Sequence, residues 1–156
     1  MASSKPQEYR SVASNRKARH TFEVLEELEC GIVLVGTEVK SLRAGECSIQ
    51  EAYARIQAGE LLLVGATIPE YRHGNQQNHE TTRTRKLLAH RREIDKWSKR
   101  VREKGMTVVP LEVYFQGSRV KVRVGLCRGK KLHDKRATQR DRDDRRQMER
   151  ALRRRR

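Results

Sequence analysis

The side chains with which a protein does covalent or acid–base chemistry are present here in a pattern that does not support it. His20, His73, His79, His90 and His133 are scattered, and only the pair in "HGNQQNH" lies close enough to invite a metal. No cysteine or carboxylate pattern completes a coordination set around that pair, so the stretch reads as a polar loop. Cys30, Cys47 and Cys127 are odd in number and lack CxxC spacing. They indicate neither a disulfide framework nor a zinc knuckle and are expected as reduced, mostly buried thiols. A nuclease or other RNA-processing enzyme needs clustered carboxylates for a metal or a histidine pair for proton transfer, and neither appears in a recognisable spacing. No catalytic residue, metal ligand or cofactor is expected.

The residue type that does recur is the cation. Among 156 residues, 36 Lys/Arg against 20 Asp/Glu give a formal charge of +16. Such a surface attracts polyanions and releases their counterions on contact, which makes RNA, DNA or an anionic membrane the candidate partners. No apolar run approaches the roughly 20 residues of a spanning helix, and "MASSKPQEYR" has no signal-peptide core, so a cytoplasmic protein is expected. The cations cluster in "NRKARH", in "TRTRK" and in "GKKLHDKR". Lys40 and Arg43, spaced i, i+3, form either an outward pair or an ordinary solvated face.

The elements that must position these groups follow from periodicity. Residues 1–14 carry no period and read as a disordered leader. "TFEVLEELECGIVLVG" reads as two strands with a bend at Gly31. "GTEVKSLRAG" reads as a short helix capped by Thr37, with Glu38 near its positive end, Val39 and Leu42 inward and Gly45 as its stop. "SIQEAYARIQAGELLLVGATI" is a hairpin turning at Ala58-Gly59-Glu60. The polar stretch after Ile68 is a long loop, functional or disordered. "TRKLLAHRREIDKWSKRVREKG" reads as one helix with Leu87, Ile94, Trp97 and Val101 inward and Gly105 as terminator. "TVVPLEVYFQGSRVKVRVGLC" is a hairpin around Gly117-Ser118, apolar on one face and polar and basic on the other, with Pro110 at the strand start or a bulge. The expected fold is mainly β with accessory helices, a small antiparallel OB-like β-barrel of about six strands with one short and one longer helix. It would span residues 15–128.

Residues 129–156 are a basic tail. From Arg128 onward there are 14 Lys/Arg and 5 Asp/Glu, a net +9. Leu132, Met148 and Leu152 are its sizeable apolar groups, too few to offset the roughly 1–2 kcal/mol per residue that ordering costs. The tail is therefore expected to be disordered when free. Asp141 precedes Arg145 and Glu149 precedes Arg153 at i, i+4, and no Gly or Pro follows Gly129, so a polyanion that neutralises the arginines would favour a helix. "GKKLHDKR" is either a phosphate-contacting hinge or a plain solvated linker.

Taken in this order and at these distances, "NRKARH", "GIVLVGTEVKSLRAG", "TRTRKLL", the "REID" helix and "GKKLHDKR" closely resemble the SmpB family of bacteria, the small protein B or SsrA-binding proteins, from about Asn15 to near the C-terminus. The resemblance implies an OB-like barrel that binds the tRNA-like domain of transfer-messenger RNA (tmRNA, SsrA RNA) and acts without catalysis in trans-translation. Its partners would be tmRNA and the ribosome, indirectly the elongation factor that carries alanyl-tmRNA, as a monomer in a 1:1 RNA complex away from any membrane. It implies RNA contacts from Asn15, Arg16, Lys17, Arg19, Glu29, Arg85, Lys86 and Leu88, to which the i, i+3 spacing on the short helix adds Lys40 and Arg43 as candidates. His20 would approach the decoding centre. Gly129, Lys130, Lys131, Asp134, Lys135 and Arg136 would begin a tail that becomes helical in the vacant mRNA channel. Glu29, an acid on a basic surface, either accepts from a base edge or forms a structural salt bridge. Leu132 stands where many relatives have a polar or aromatic residue, and the final "RRRR" is more basic than is usual for the family. A basic ribosomal structural protein or RNA chaperone accommodates the charge and the tail equally well.

Overall fold

A computed structural model describes residues 8–72, 78–129 and 132–154, leaving aside the side chains of 103–104 and 132–138. Strands β1 (Tyr9–Ser14), β2 (Phe22–Ile32), β3 (Tyr53–Gln57), β4 (Glu60–Val64), β5 (Arg85–Leu88), β6 (Thr107–Gln116) and β7 (Arg119–Gly129) are joined with helices α1 (Arg16–Thr21), α2 (Gly36–Arg43), α3 (Arg91–Lys104) and α4 (Leu132–Arg154). All strand pairings are antiparallel, in the order β1-β6-β3-β4-β5-β2-β7, and a further β6–β7 pairing joins the two ends. The circuit from β6 through β3, β4, β5, β2 and β7 back to β6 is thus closed, an OB-like arrangement, with β1 added on β6. Register shifts between Val24/Glu26 on β2 and Pro110/Glu112 on β6 bend the two longest pairings, as closure of so small a sheet requires.

The core lies inside this circuit. Leu42, Ile49, Leu63, Val122, Val124 and Leu126 are among its fully buried members, and α3 closes one side through Ile94, Trp97 and Val101. That seam is the one expected from the helical period. Gly105 ends α3 in the left-handed region, at φ 60°. Both expected hairpins form, β3–β4 across Ala58-Gly59 and β6–β7 across Gly117-Ser118, and Pro110 sits at the bulge. Ala58 takes φ +51° beside Gly59 at +76°, the positive pair of a two-residue hairpin turn. Ala58→Gly is expected to stabilise the fold by about 0.5–1 kcal/mol, read as a higher urea midpoint, because a Cβ there opposes the turn.

Several expectations are corrected. Residues 9–14, read as disordered leader, are an edge strand paired from Tyr9↔Gln116 to Ser14↔Glu112, so the folded body begins before residue 15 and extends to Gly129. This strand shows no clear period because it lies on the surface, with Tyr9, Arg10 and Ser11 all exposed. Residues 1–7 lie outside the described residues. The two strands read around Gly31 are one, β2, of 11 residues. Gly31 sits at a close approach between strands: a Cβ there would stand 3.3 Å from Leu88 Cβ on β5. "RKLL" is a strand, not the first turn of α3, and its burial alternates: Arg85 and Leu87 in, Lys86 and Leu88 out. Thr37 lies inside α2, whose first turn is instead closed by Glu38 accepting from the Val35 N–H. Tyr114, on the hairpin face expected to be polar and basic, is 1% exposed, with the Tyr9 ring of β1 5.1 Å from its own.

Candidate RNA interface

Asn15 organises the first basic cluster from within. Its Oδ1 accepts from the Ala18 N–H at 3.1 Å and caps α1, while its Nδ2 donates to the Ile49 and Pro110 carbonyls. At 3% exposure it is a structural cap, which corrects its assignment as an RNA contact. What it holds in place is exposed: Arg16, Lys17, Arg19 and His20 all project from the short helix into solvent. Lys17 and Arg19 meet Glu51 at 3.5 Å and Glu27 at 2.9 Å. Such exposed pairs are worth little and yield readily to a polyanion.

The second cluster rests on a buried carboxylate. Glu38 is 0% exposed and accepts from Arg85 Nε through Oε2 and from Arg83 through Oε1. Arg85, also 0% exposed, spends its remaining donors on the carbonyls of Ala66, Thr81 and Glu80. It cannot reach a surface ligand, and its expected RNA contact is corrected to the joint between α2 and β5. His79, of the pair once open to a metal reading, joins the same region: Nδ1 meets the Thr37 hydroxyl at 2.9 Å and Nε2 the Ile68 carbonyl at 2.8 Å. His73 lies outside the described residues. Held on this joint, α2 exposes Lys40 and Arg43, with Lys40 Nζ 5.5 Å from the Tyr71 ring centre. β5 exposes Lys86, which pairs with Glu60 at 3.2 Å, and Leu88, 51% exposed.

The outer face of β2, β7 and β6 carries a third group that the sequence reading reached only through Glu29. Tyr114 donates to Glu29, Arg123 to Glu112 at 2.8 Å, and Tyr9 to Glu112. Among the described residues no cation pairs with Glu29, so the salt-bridge alternative for it is not what forms. Glu26 instead takes that role, binding Trp97 Nε1 at 3.0 Å and Arg100 at 2.6 Å and tying α3 to β2. Cross-strand register, once known, is the signal that places Arg123 beside Glu29.

At the tail, α4 runs for 23 residues, and every described side chain from Gln139 onward is exposed. Gln139 bonds Asp143 one turn on, at 3.2 Å. Gly129 pairs with Phe22 at the end of the β2–β7 ladder. Lys130 and Lys131 lie outside the described residues, as do the side chains of Asp134, Lys135 and Arg136.

Among the described residues no three His, Cys, Asp or Glu gather around a metal position. All three thiols are free, and burial pushes Cys30 up to about 12 and Cys47 and Cys127 to about 11, far from a reactive thiolate. No helix among the described residues is long and apolar enough to cross a membrane.

The comparisons with known proteins agree with one another. The family model described as SmpB protein matches residues 12–154. The chain is 52% identical over 141 residues to the SsrA-binding protein of Kineococcus radiotolerans, covering 90% of each, and 50% identical over 155 residues to that of Beijerinckia indica, covering 98% of each. It also resembles a chain of the solved structure described as "tmRNA-SmpB: a journey to the center of the bacterial ribosome", with a TM-score of 0.65, 44% identity, and coverage of 82% of this chain and 87% of that one. With the family model spanning nearly all of its length and relatives of this similarity covered end to end, the chain belongs to the SmpB family.

Proposed function

We propose that this protein binds tmRNA through the tRNA-like domain, brings it to ribosomes stalled on messages without a stop codon, and places its tail in the empty mRNA channel. The observation that carries the reading is the division of charge. A closed sheet presents short cationic elements, and a separate helix with no buried side chain among those described lies in a tail of net charge +8 from Gly129 onward. The first suits recognition of a folded RNA by shape and backbone, and the second suits a narrow polyanionic channel. The relatives' name, SsrA-binding protein, supplies the RNA.

In this reading Arg16, Lys17 and Arg19 on α1, Lys40 and Arg43 on α2, and Lys86 with Leu88 on β5 form the body's RNA surface. His20 faces the decoding centre, and Gly129, Lys130, Lys131, Asp134, Lys135 and Arg136 form the root from which the tail turns. The protein acts in the cytoplasm as a 1:1 RNA-bound monomer, performs no catalysis, and meets the elongation factor only through the alanyl-tmRNA it carries.

The α1 cations give the test. Replacing Arg16, Lys17 and Arg19 together with Ala is expected to weaken binding of an in vitro transcribed tRNA-like domain. The slope of log affinity against log salt should flatten by roughly 0.7–0.9 for each phosphate contact removed. Filter binding across a salt series measures both. An unchanged slope removes these residues from the phosphate contacts, and equal competition by bulk tRNA or ribosomal RNA counts against tmRNA as the ligand.

A further inference from the structure

β2 carries four glutamates at exposed or half-exposed positions, and three of them are neutralised. Glu23 meets Arg128, Glu26 meets Arg100 and Lys96, and Glu27 meets Arg19 and Arg123. Glu29 is exposed, yet among the described residues no cationic nitrogen lies within 4.0 Å of it. Arg123, its cross-strand partner, reaches away to Glu112 at 2.8 Å and Glu27 at 4.0 Å. What Glu29 receives is a neutral donor, the Tyr114 hydroxyl, on Oε2 alone.

Tyr114 has little freedom. It is 1% exposed, its ring lies 5.1 Å from that of Tyr9, and the Arg123 guanidinium lies 5.2 Å from its centre. Burial, with the Glu29 carboxylate beside it, raises its pKa above that of an ordinary phenol, so the hydroxyl remains a donor at physiological pH. The result is a carboxylate anchored through Oε2, on an exposed residue of a strongly basic protein. A phosphate is repelled by such a group. A base edge that offers N–H donors is attracted, as the exocyclic amino groups of cytosine, guanine and adenine do.

We propose that Tyr114, locked between Tyr9 and Arg123, positions Glu29 to accept from the amino-bearing edge of an unpaired base in the bound RNA. Tyr114 and Arg123 are then positioning residues for base selectivity and touch no RNA themselves. The proposal rests on the RNA-binding reading above.

A double-mutant cycle on binding of the in vitro transcribed tRNA-like domain tests it. Tyr114→Phe removes the hydroxyl and keeps the ring. It is expected to weaken binding by roughly tenfold with an unchanged salt slope, and to add no loss in a Glu29→Ala background. Arg123→Lys keeps the charge without the planar group over the ring and is the second variant, expected to show the same coupling to Glu29. Losses that add in full, or a Tyr114→Phe protein that binds like the unmodified chain, overturn the inference and leave the RNA-binding reading intact. An unmodified chain that shows no preference for this RNA overturns both.

Discussion

Glu38→Ala is expected to lower stability by about 3–5 kcal/mol, the range for removing one partner of a buried ion pair. On a folded body of this size that corresponds to a fall of about 10–20 °C in melting temperature. The cause is what remains. Arg85 is fully buried and cannot shed its charge, and with Glu38 gone its Nε loses the carboxylate it donates to. Arg83, whose side chain is 35% exposed, can turn part of its guanidinium to water and contributes less. The double change Glu38→Leu with Arg85→Met is therefore expected to recover much of the loss, since it leaves no lone charge inside. Calorimetry of the three variants reads the difference directly; a double variant no more stable than Glu38→Ala would show that the pair is not the source. The joint also has a pH signature. Burial by itself would raise the Glu38 pKa, but hydrogen bonds from Arg83, the Val35 N–H and Arg85 outweigh it and hold the group below its ordinary 4.5. Glu26 is lowered too, by the Trp97 N–H first and then by Lys96 and Arg100. Groups depressed on folding stabilise fully above the unfolded value and lose that contribution as pH falls through the folded one. The urea midpoint should therefore drop below about pH 4.5, less steeply in Glu38→Ala than in the unmodified chain.

Truncation after Gly129 is expected to separate the two proposed activities. The cut leaves the β2–β7 ladder whole, since Gly129 is its last paired residue. Affinity of the body for the tRNA-like domain at physiological salt should change by less than about fivefold, because the charges removed are exposed and screened within a Debye length of the body's own surface. Tagging of nascent chains on stalled ribosomes should be lost. The described side chains of α4 find no packing partner, and helices of this kind draw most of their stability from tertiary burial. The free tail is thus proposed to be only partly helical and to gain helix on a polyanion, which circular dichroism of the full chain against the truncated one would show. Equal loss of RNA binding and tagging would refute the division of labour.

How much of this was legible depended on whether an element announces itself by burial. The β3–β4 and β6–β7 hairpins, the Ile94/Trp97/Val101 seam and the Gly105 terminator bury apolar groups at the period of their element, and each lies where the pattern puts it. β1 does not, because an edge strand with exposed Tyr9 and Arg10 alternates nothing. β5 misleads in the opposite way: its inward period is Arg85 then Leu87, and an arginine read as surface hides a strand. The assignment of Arg85 to the RNA came from the resemblance of its motif, which does not show which way the side chain points. A buried guanidinium is intelligible only when Glu38, 47 positions away, is seen beside it. Asn15 carried a second meaning of this sort, since a residue that precedes a basic cluster is as well suited to capping its helix as to touching a ligand. Glu29 was visible as an anomaly, but Tyr114 and Arg123, which give it direction, become its neighbours only through strand register.

The central claim is that this basic body selects one tRNA-like RNA in place of binding polyanions at large. Purifying the full chain from its own cells at physiological salt and sequencing the RNA that comes with it tests this most directly. One abundant tmRNA species, far above its share of cellular RNA, is the predicted result; ribosomal RNA recovered uniformly, in proportion to its abundance, would contradict the account.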